Sequence, residues 1–385
     1  MQVDLPLPLL GGLSPAQFMK RYWHKKPLLI RQAIPGMQPL LERNALMDLA
    51  ARDDVQSRLV IQQGDTAKQS WRLRHGPFTR RSLPPFKQAG WTLLVQSVDL
   101  LDARVQDLRE QFRFVPDARL DDVMISYASD GGGVGPHFDS YDVLLLQAQG
   151  QRRWRIGRQK DLRLQEGMPL KILADFTPEQ EFVLEAGDML YLPPRYAHDG
   201  VAKGECMTYS IGFRAPDQVE LAQSVLQGIA EQLTDAMPSK RYRDPGQTAC
   251  DRPAQIPLAM QAFARDALTN ALRDPDLLAR TLGEHLSEPA AAVWFHAQDV
   301  ACGVQHGVRL DRGTRMLYDE HYVFINGESF QASGRDAQLV RQLADSHYLD
   351  ARQCARLSAS AARLLGQWLD CGWLHVLESD KTLGL

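Results

Sequence analysis

Short apolar runs bounded by glycine, proline and aspartate dominate the chain from Ser57 to about Ile211. Helical spacing predicts short helices before and within this region, at Ser14–Trp23 and Ala103–Phe112. The runs that predict β-strands are residues 28–31, 58–61, 71–74, 91–98, 123–128, 143–148, 152–156, 181–184, 189–192 and 207–213. Many short strands with turn residues between them are typical of a β-sandwich or a β-barrel.

The hydrophobic pattern changes after Pro216. Apolar residues recur at helical spacing from Val219 to Leu233, and a second helical stretch runs from about Leu258 to His285, so this segment is predicted to be all-α. An amphipathic helical pair of this size needs a surface that covers its apolar face. That surface is either the β-rich region or a second copy of the chain, and the pattern does not choose between them.

The last part of the chain, from about Glu288, mixes both patterns. Asn326-Gly327 joins two predicted strands, His321–Ile325 and Glu328–Gln331, through the residue pair that β-hairpins favour. Three helices are predicted after it, at residues 335–346, 351–357 and 358–374. Helices combined with a β-hairpin resemble a winged-helix domain. Such modules bind protein as readily as nucleic acid, so this likeness assigns no function by itself.

Together the patterns predict an α+β protein in three parts. These are a β-rich domain over residues 1–215, a helical region over residues 216–287 and a winged-helix domain over residues 288–385. The length agrees with a division of this kind, because 385 residues exceed what a single hydrophobic core usually serves.

Composition narrows the class of protein. Apolar residues make up 44% of the chain and charged residues 24%, so we do not expect a disordered chain. The net charge is -3, so direct binding of nucleic acid is not predicted either. No window is long and apolar enough to cross a bilayer, and the N-terminus carries an acid where a signal peptide carries a base. We therefore expect a cytoplasmic protein. Five scattered cysteines without a CxxC pair favour reduced thiols over structural zinc.

Two stretches of the β-rich region carry candidate metal ligands. In the first, a glycine-rich turn leads into His137 and Asp139, which share a face because alternate residues of a strand point the same way. In the second, a strand that begins near Gly187 ends at a proline pair, and His198 follows in a stiff loop. Two histidines and one carboxylate on one face of an octahedron leave three positions open, which suits Fe(II) that must bind a chelating cosubstrate and O2. Closed zinc sites with four ligands lack that room.

The specificity of this signal depends on its context. An HxD pair alone is weak evidence, because a histidine on a strand more often has a structural role. The signal is much stronger when the pair lies in a glycine-rich turn and is followed by the pattern G-D-x4-P-x4-H, which here ends at His198. The other eight histidines lie outside this pattern, and a surface or structural role is expected for each of them.

The strand after the first two ligands offers an anchor for an anion. Alternation places Arg152 on the same apolar face as Trp154 and Ile156. A buried guanidinium is costly unless an anion pairs with it, and a dicarboxylate would supply that anion. Ser126, on the inward face of its own strand, offers a hydroxyl to the same carboxylate. The alternatives are that Arg152 pairs with an internal aspartate or extends to solvent.

With these residues in place, the sequence resembles the JmjC-type ribosomal oxygenases, and most of all their bacterial members, the ribosomal-protein arginine hydroxylases. The resemblance covers essentially the full chain. It is carried by residues 22–28, 91–96, 131–142, 152–155, 187–198 and 210–216. Eukaryotic relatives carry lysine where this chain has Arg152, so the arginine is similar to the bacterial form.

The resemblance implies a JmjC/cupin double-stranded β-helix barrel, followed by an all-α dimerisation segment and a winged-helix domain. It implies that His137, Asp139 and His198 bind Fe(II), and that Arg152 and Ser126 hold 2-oxoglutarate. The implied reaction consumes O2 and releases succinate and CO2. Its implied substrate is one arginine of the sixteenth protein of the large ribosomal subunit, hydroxylated at the β-carbon, and a homodimer is implied as well.

An arginine substrate is best received by carboxylates and aromatic rings. Four residues that flank the metal-ligand turn are candidates for this contact: Tyr127, Asp130, Tyr141 and Asp142. The simpler interpretation of the charged members is that they are turn residues exposed to solvent.

Other functions remain open from the residues alone. Within the oxygenases these are histidine hydroxylation and methyl-lysine demethylation. Outside them are a cupin-type metal-dependent isomerase, a non-catalytic metal-binding module, and a ribosome- or nucleic-acid-binding regulator that acts through the winged helix. Conversion of 2-oxoglutarate to succinate separates an oxygenase from an isomerase. Steeply salt-dependent binding to bare RNA or DNA would indicate the regulator.

Overall fold

The computed structural model describes residues 2–63, 70–236, 238–291, 293–297, 303–331 and 333–377. The chain divides into two compact units, Met1–Ala215 and Pro216–Leu385. In the described part of the chain, no helix is long and apolar enough to cross a membrane. The described cysteines are free thiols, and Cys302 lies outside the described residues.

The described strands of the first unit belong to one antiparallel sheet. They are β1 (Leu28–Ile30), β2 (Ser57–Gln63), β3 (Ser70–His75), β4 (Trp91–Val95), β5 (Leu120–Ala128), β6 (Val143–Arg158), β7 (Gln180–Leu184), β8 (Met189–Leu192) and β9 (Tyr196–Phe213). Their order is β1-β8-β6-β9-β5-β4-β2-β3, and β7 pairs with β6 off this path. Each pairing is antiparallel, so the strands connect without the crossover helices that a parallel sheet requires.

The long strands β6 and β9 bend the sheet around a cavity. The first part of β6 pairs with β8 and with the end of β9, whereas the part after Gly150 pairs with β7 and with the beginning of β9. The register shifts on both sides of Gly150, which has a φ of 65° and would place a Cβ only 2.2 Å from the carbonyl oxygen of Glu205. Irregularities of this kind bend a strand. The cavity is lined by residues of β2, β4, β5, β6 and β9.

Helices α1 (Pro15–Arg21), α2 (Arg43–Ala50) and α3 (Ala103–Glu110) pack on the outer face of this sheet. Helix α1 begins with a capping box, in which Ser14 and Gln17 each accept a hydrogen bond from the other's backbone N–H. The largest hydrophobic cluster lies between the helices and the sheet and includes Phe18, Leu46 and Val105. Residues on the outer face of the sheet therefore pack with the helices in the hydrophobic core, and residues on the inner face line the cavity.

The second unit is built mainly from helices and short strands. Its helices are α4 (Gln218–Ala236), α5 (Leu258–Arg273), α6 (Pro275–Ser287), α7 (Gly334–Ser346), α8 (Ala351–Cys354) and α9 (Ala359–Asp370). Its strands are β10 (Val308–Leu310), β11 (Met316–Tyr318), β12 (Tyr322–Ile325), β13 (Glu328–Gln331), β14 (Tyr348–Leu349) and β15 (Leu374–Val376). They form two small sheets, β11-β12-β13 and β14-β10-β15, around a core that includes Leu343 and Trp368.

The predicted hairpin is present, with positive φ angles of 50° at Asn326 and 86° at Gly327, as its turn requires. The predicted helical stretch 258–285 is two helices instead of one. It breaks at Asp274, whose side chain caps α6 just before Pro275. Helix α2 and the short strands β10, β11, β14 and β15 were not predicted, because such short elements carry little periodicity of their own.

Two strand predictions are wrong in the first unit. Residues 143–148 and 152–156 were predicted as separate strands but form the single strand β6, because Gly150 bends the strand without ending it. His198 was predicted to lie in a loop but lies in β9, which begins at Tyr196 and not at Met207. The predicted barrel itself is confirmed.

Candidate metal and cosubstrate site

His137, Asp139 and His198 converge at the cavity. One potential ligand atom from each residue lies within 4.8 Å of the other two. Nε2 of His198 is 3.6 Å from Oδ2 of Asp139, and the two imidazole centroids are 4.2 Å apart. At these separations small side-chain rotations bring all three atoms to one ion, since metal–ligand distances are about 2.0–2.2 Å.

A pair of backbone hydrogen bonds holds the two histidines opposite each other. The N–H of His137 donates to the carbonyl of His198 at 2.9 Å, and the N–H of His198 donates back at 2.8 Å. The glycine-rich turn makes this approach possible, because a Cβ at Gly133 would lie 2.7 Å from the carbonyl oxygen of Gly200. The turn that carries His137 and Asp139 is therefore attached directly to β9, the strand that carries His198.

Both imidazole rings present Nε2 to the site. The Nδ1–H of His137 donates to the carbonyl of Gly135, and that of His198 donates to the carbonyl of Tyr196, each at 2.9 Å. Because a carbonyl only accepts, the proton lies on Nδ1 and the lone pair of Nε2 is free for a metal ion. Burial, followed by the charge of His137, lowers the pKa of His198 to about 4, so its ring is neutral near pH 7.

Arg152 lies inside the same cavity and is 5% exposed. Its Nη1–H donates to Oγ of Ser126 at 3.3 Å. Its Nε and Nη2 have no hydrogen-bond partner among the described residues, and no described carboxylate forms an ion pair with it. The two alternatives of an internal aspartate and of escape to solvent are therefore excluded by the geometry. A buried guanidinium left in this state is costly, which means that the cavity fits a bound anion.

Trp154 lies beside both His198 and the guanidinium of Arg152. Its ring centroid is 5.8 Å from that of His198, and Cζ of Arg152 is 5.8 Å from the indole ring. The ring fills the space next to Gly200, where a Cβ would come within 2.6 Å of it. The cavity has a volume of about 490 Å³, which is enough for a small dicarboxylate together with part of a second substrate.

The four candidate substrate contacts lie in different places. Tyr141 lines the cavity and is 39% exposed. Tyr127 points to the outer face of β5, where its ring packs against Trp91 and Phe86. Asp130 lies at the protein surface and accepts a hydrogen bond from the N–H of Gly204 at 2.7 Å. Of these three, only Tyr141 is placed to touch a substrate inside the cavity.

The fourth candidate, Asp142, is fully buried outside the cavity. Its Oδ1 accepts a hydrogen bond from the hydroxyl of Tyr191 at 2.5 Å, and its Oδ2 lies 2.9 Å from Nε2 of His24 and 3.6 Å from Nη2 of Arg119. These contacts anchor the segment after Asp139 to the region that follows α1. The placement of Asp142 supports a positional role and no substrate contact.

Asp122, which the sequence analysis missed, does line the cavity. Its Oδ2 accepts hydrogen bonds from the N–H and the hydroxyl of Ser97, at 2.7 and 3.1 Å, whereas its Oδ1 has no donor in the described part of the chain. Burial, followed by the nearby charges of Asp99 and Asp121, raises its pKa to about 6. A signal was available, because the alternation that places Ser126 inward also places Asp122 inward. Arg58, Asp121 and Lys171 line the cavity as well.

A double-stranded β-helix barrel with two histidines, one carboxylate and a buried unpaired arginine defines the class of the 2-oxoglutarate-dependent oxygenases. Comparison with known proteins agrees. The JmjC domain family matches residues 107–221, and the ROXA-like winged helix family matches residues 268–375. The second match begins within α5, earlier than the start at residue 288 that the sequence pattern predicted.

The chain belongs to the JmjC-domain ribosomal oxygenases. It is 32% identical to the ribosomal protein uL16 3-hydroxylase of Escherichia coli, over 83% of this chain and 86% of that protein. It is 35% identical to a probable ribosomal oxygenase of Haemophilus influenzae, over 60% of this chain and 57% of that protein. The family is dependent on Fe(II) and 2-oxoglutarate.

Solved structures of E. coli YcfD have the same fold. One superposes with a TM-score of 0.82 at 28% identity and covers 94% of this chain and 98% of that one. Another, with a TM-score of 0.78 over the same coverage, is a complex of YcfD, a ribosomal oxygenase, with cobalt and 2-oxoglutarate. The similarity therefore extends through both units of the chain.

Proposed function

We propose that this protein hydroxylates the β-carbon of one arginine side chain in the ribosomal protein uL16, and that it consumes O2 and 2-oxoglutarate and releases succinate and CO2. The E. coli relative is named a uL16 3-hydroxylase, and position 3 of an amino acid is its β-carbon. An arginine target also suits the acidic and aromatic side chains Asp122 and Tyr141 at the cavity. This substrate is made and assembled in the cytoplasm of bacteria, which is the location proposed for the enzyme.

The proposed metal ligands are His137, Asp139 and His198, and the proposed anchor for the far carboxylate of 2-oxoglutarate is Arg152 with Ser126. Bound Fe(II) and cosubstrate supply the O2 activation that hydroxylation of a C–H bond needs. The chain itself holds the ligand nitrogens free, pairs the carboxylate and excludes water from the cavity. One observation carries the proposal: three convergent ligand atoms share a cavity with a buried guanidinium that has two unpartnered N–H groups.

Mass spectrometry of uL16 tests the proposal directly. Purified protein with Fe(II), ascorbate and 2-oxoglutarate is expected to form succinate and to add the mass of one oxygen atom to a single arginine-containing peptide of uL16. The matched control is Asp139→Ala, which should give neither product. Succinate formation without any modified uL16 peptide would agree with an oxygenase but would refute uL16 as its substrate.

Asp122→Asn is expected to raise the KM for a uL16 peptide by about 10- to 100-fold, because a charge-assisted hydrogen bond contributes about 1.5–3 kcal/mol. The KM for 2-oxoglutarate should not change, since Asp122 lies four residues along β5 from Ser126, the hydrogen-bond partner of Arg152. Steady-state kinetics with each substrate varied in turn provides the measurement. Asp130→Asn is the control, because Asp130 lies outside the cavity and its loss should leave both KM values unchanged.

The same residue gives the wild-type enzyme a pH dependence. The carboxyl of Asp122, with a pKa of about 6 in the free enzyme, is charged above that pH and protonates as the pH falls through it. Affinity for a cationic side chain should therefore be full above pH 7 and should weaken below pH 6. In Asp122→Asn the peptide KM should not change with pH over this range. A wild-type KM that is constant from pH 5 to pH 8 would contradict the assignment.

We also propose that residues 216–287 form a dimerisation region between a catalytic domain at residues 1–215 and a winged-helix domain at residues 288–385. Large apolar side chains on α4 and α5 are exposed, among them Val219, Leu226, Leu258 and Leu268. Exposed apolar residues in this number usually mark a protein interface. Light scattering coupled to size-exclusion chromatography tests whether the chain forms a homodimer.

A further inference from the structure

A group of exposed cations lies next to the metal site on the outside of the first unit. Its members are exposed lysines and arginines from α1, from the segment after α1, from the end of β6 and the residues that follow it, and from the residue just before β9. We call them the basic strip: Lys20, Arg21, Lys25, Lys26, Arg158, Lys160 and Arg195. The bulk charge of the chain is -3, so the strip is a local concentration that composition does not reveal.

Contacts in the structure join these residues into one surface. The Nζ of Lys25 donates to the carbonyl of Lys20 at 2.5 Å, and Nη2 of Arg158 donates to the carbonyl of Lys25 at 3.0 Å. Arg158 pairs across the sheet with Tyr196, the residue that follows Arg195. The N–H of Arg195 in turn donates to the carbonyl of the metal ligand Asp139 at 2.7 Å. The strip therefore runs from α1 to the edge of the catalytic site.

The cations of the strip have no carboxylate partner among the described residues. Other surface arginines of the same unit do pair, as Arg43 does with Glu205, Arg80 with Asp48 and Arg104 with Asp102. Two acids near the strip have other partners: Glu179 accepts a hydrogen bond from the hydroxyl of Tyr196, and Asp161, next to Lys160 in the chain, pairs with Arg163. The positive charge of the strip is thus largely uncompensated by the chain itself.

Two residues at this surface have a backbone conformation that side chains rarely adopt. His24, which precedes Lys25 of the strip, has a φ of 58°, and Arg195 has a φ of 63°. A bulky residue in the left-handed region costs free energy, and such positions cluster where a fold presents a side chain for function. Arg195 is exposed in this conformation, and its backbone N–H is bonded to the carbonyl of the proposed metal ligand Asp139.

We propose that the basic strip binds the phosphate backbone of RNA, and that the enzyme meets uL16 while that protein is associated with ribosomal RNA. This inference rests on the proposed uL16 hydroxylation. Unpaired lysines and arginines in a row neutralise successive phosphates and release their counterions, which is the general source of affinity for RNA. The strip lies outside the cavity, so the substrate arginine can enter the site while neighbouring phosphates lie along the strip.

The test uses full-length protein and a short fluorescein-labelled RNA duplex of mixed sequence, with binding measured by fluorescence anisotropy over a series of KCl concentrations. The strip variant carries Lys25→Glu, Lys26→Glu and Arg158→Glu together. The matched control carries Arg81→Glu, Lys87→Glu and Lys203→Glu, which are exposed cations elsewhere on the same unit and give the same change in charge. Formation of succinate from 2-oxoglutarate is measured in parallel for all three proteins.

For wild-type protein, the logarithm of the affinity for the duplex should fall linearly with the logarithm of the KCl concentration. The strip variant should bind at least about tenfold more weakly, with a salt slope smaller by about 2–3, since each lost phosphate contact removes about one unit. The control variant should bind within about twofold of wild type, and all three proteins should form succinate at equal rates.

Three results would overturn the inference: no binding of RNA by wild type at low salt, equal loss in the strip and control variants, or salt-dependent binding to phosphatidylserine vesicles in place of RNA. None of these results touches the proposed hydroxylase function, because succinate formation and the modification of isolated uL16 are measured without RNA. Loss of succinate formation with intact RNA binding would instead refute the oxygenase chemistry and would still support RNA binding by the basic strip.

Discussion

Asp139→Ala is expected to reduce succinate formation by at least about 100-fold. Changes to groups that merely support a metal ligand already cost about 10- to 100-fold, and Asp139 is proposed as a direct ligand. It is also the only carboxylate among the three proposed ligands, so its loss removes the negative charge that complements the ion. Asp139 is partly exposed at the cavity, and its side chain makes no contribution to the hydrophobic core, so the fold should persist.

Two measurements separate a lost ligand from a damaged fold. Isothermal titration with Co(II) should show one site per chain in wild type and strongly weakened binding in Asp139→Ala. Far-ultraviolet circular dichroism and the melting temperature of the metal-free proteins should remain alike. The control is Asp130→Ala, an aspartate outside the cavity, which should bind Co(II) and form succinate as wild type does. Full activity in Asp139→Ala would mean that the three residues do not form the metal site.

The convergence of the three candidate ligands, and the inward position of Arg152 and Ser126, could be predicted because each depends on local geometry. His137 and Asp139 are two residues apart, and the alternation of strand residues alone places Arg152 and Ser126 on inward faces. The structure brings the last two together at 3.3 Å although they belong to different strands. Patterns of this kind survive folding, because strand parity is preserved once a strand has one face in the core.

The substrate contacts could not be predicted in the same way, because their environment comes from distant elements. Asp142 looks available in the sequence, yet Tyr191 and His24 reach it from β8 and from the segment after α1. Nothing local to Asp142 indicates those partners. Asp122 is the opposite case, since parity along β5 places it inward although it does not flank the glycine-rich turn.

The position of His198 shows how pairing overrides a local pattern. Pro193 and Pro194 end β8, and the glycines and charged residues after them resemble a loop. Partnership with β6 nevertheless holds this segment extended from Tyr196 onward, through hydrogen bonds that no property of the segment itself encodes. The G-D-x4-P-x4-H pattern therefore picked out a histidine that converges with His137 and Asp139, while the predicted element around it was wrong.

Arg152→Met is expected to weaken the binding of 2-oxoglutarate without lowering the stability of the ligand-free protein. Binding of 2-oxoglutarate should weaken by roughly 10- to 150-fold or more, because a hydrogen bond to a charged group contributes about 1.5–3 kcal/mol and a bidentate pair more than one such bond. The ligand-free protein, in contrast, should be as stable as wild type or more stable. The wild-type guanidinium that this substitution removes is buried and has two unpartnered N–H groups. Well-packed apolar replacements of buried ionic groups are often neutral or stabilising by about 1–4 kcal/mol.

Thermal unfolding with and without 2-oxoglutarate tests both halves of this expectation. In the presence of Fe(II) or Co(II), wild type should gain about 2.7 kcal/mol when 2-oxoglutarate is present at a hundredfold excess over its Kd, and Arg152→Met should gain only about 0.3–1.4 kcal/mol at the same concentration. Arg152→Lys should be intermediate, since an ammonium keeps the charge but loses the bidentate geometry. A ligand-free Arg152→Met that melts far below wild type, yet keeps its full shift with 2-oxoglutarate, would show that the guanidinium supports the barrel and that the cosubstrate is held elsewhere.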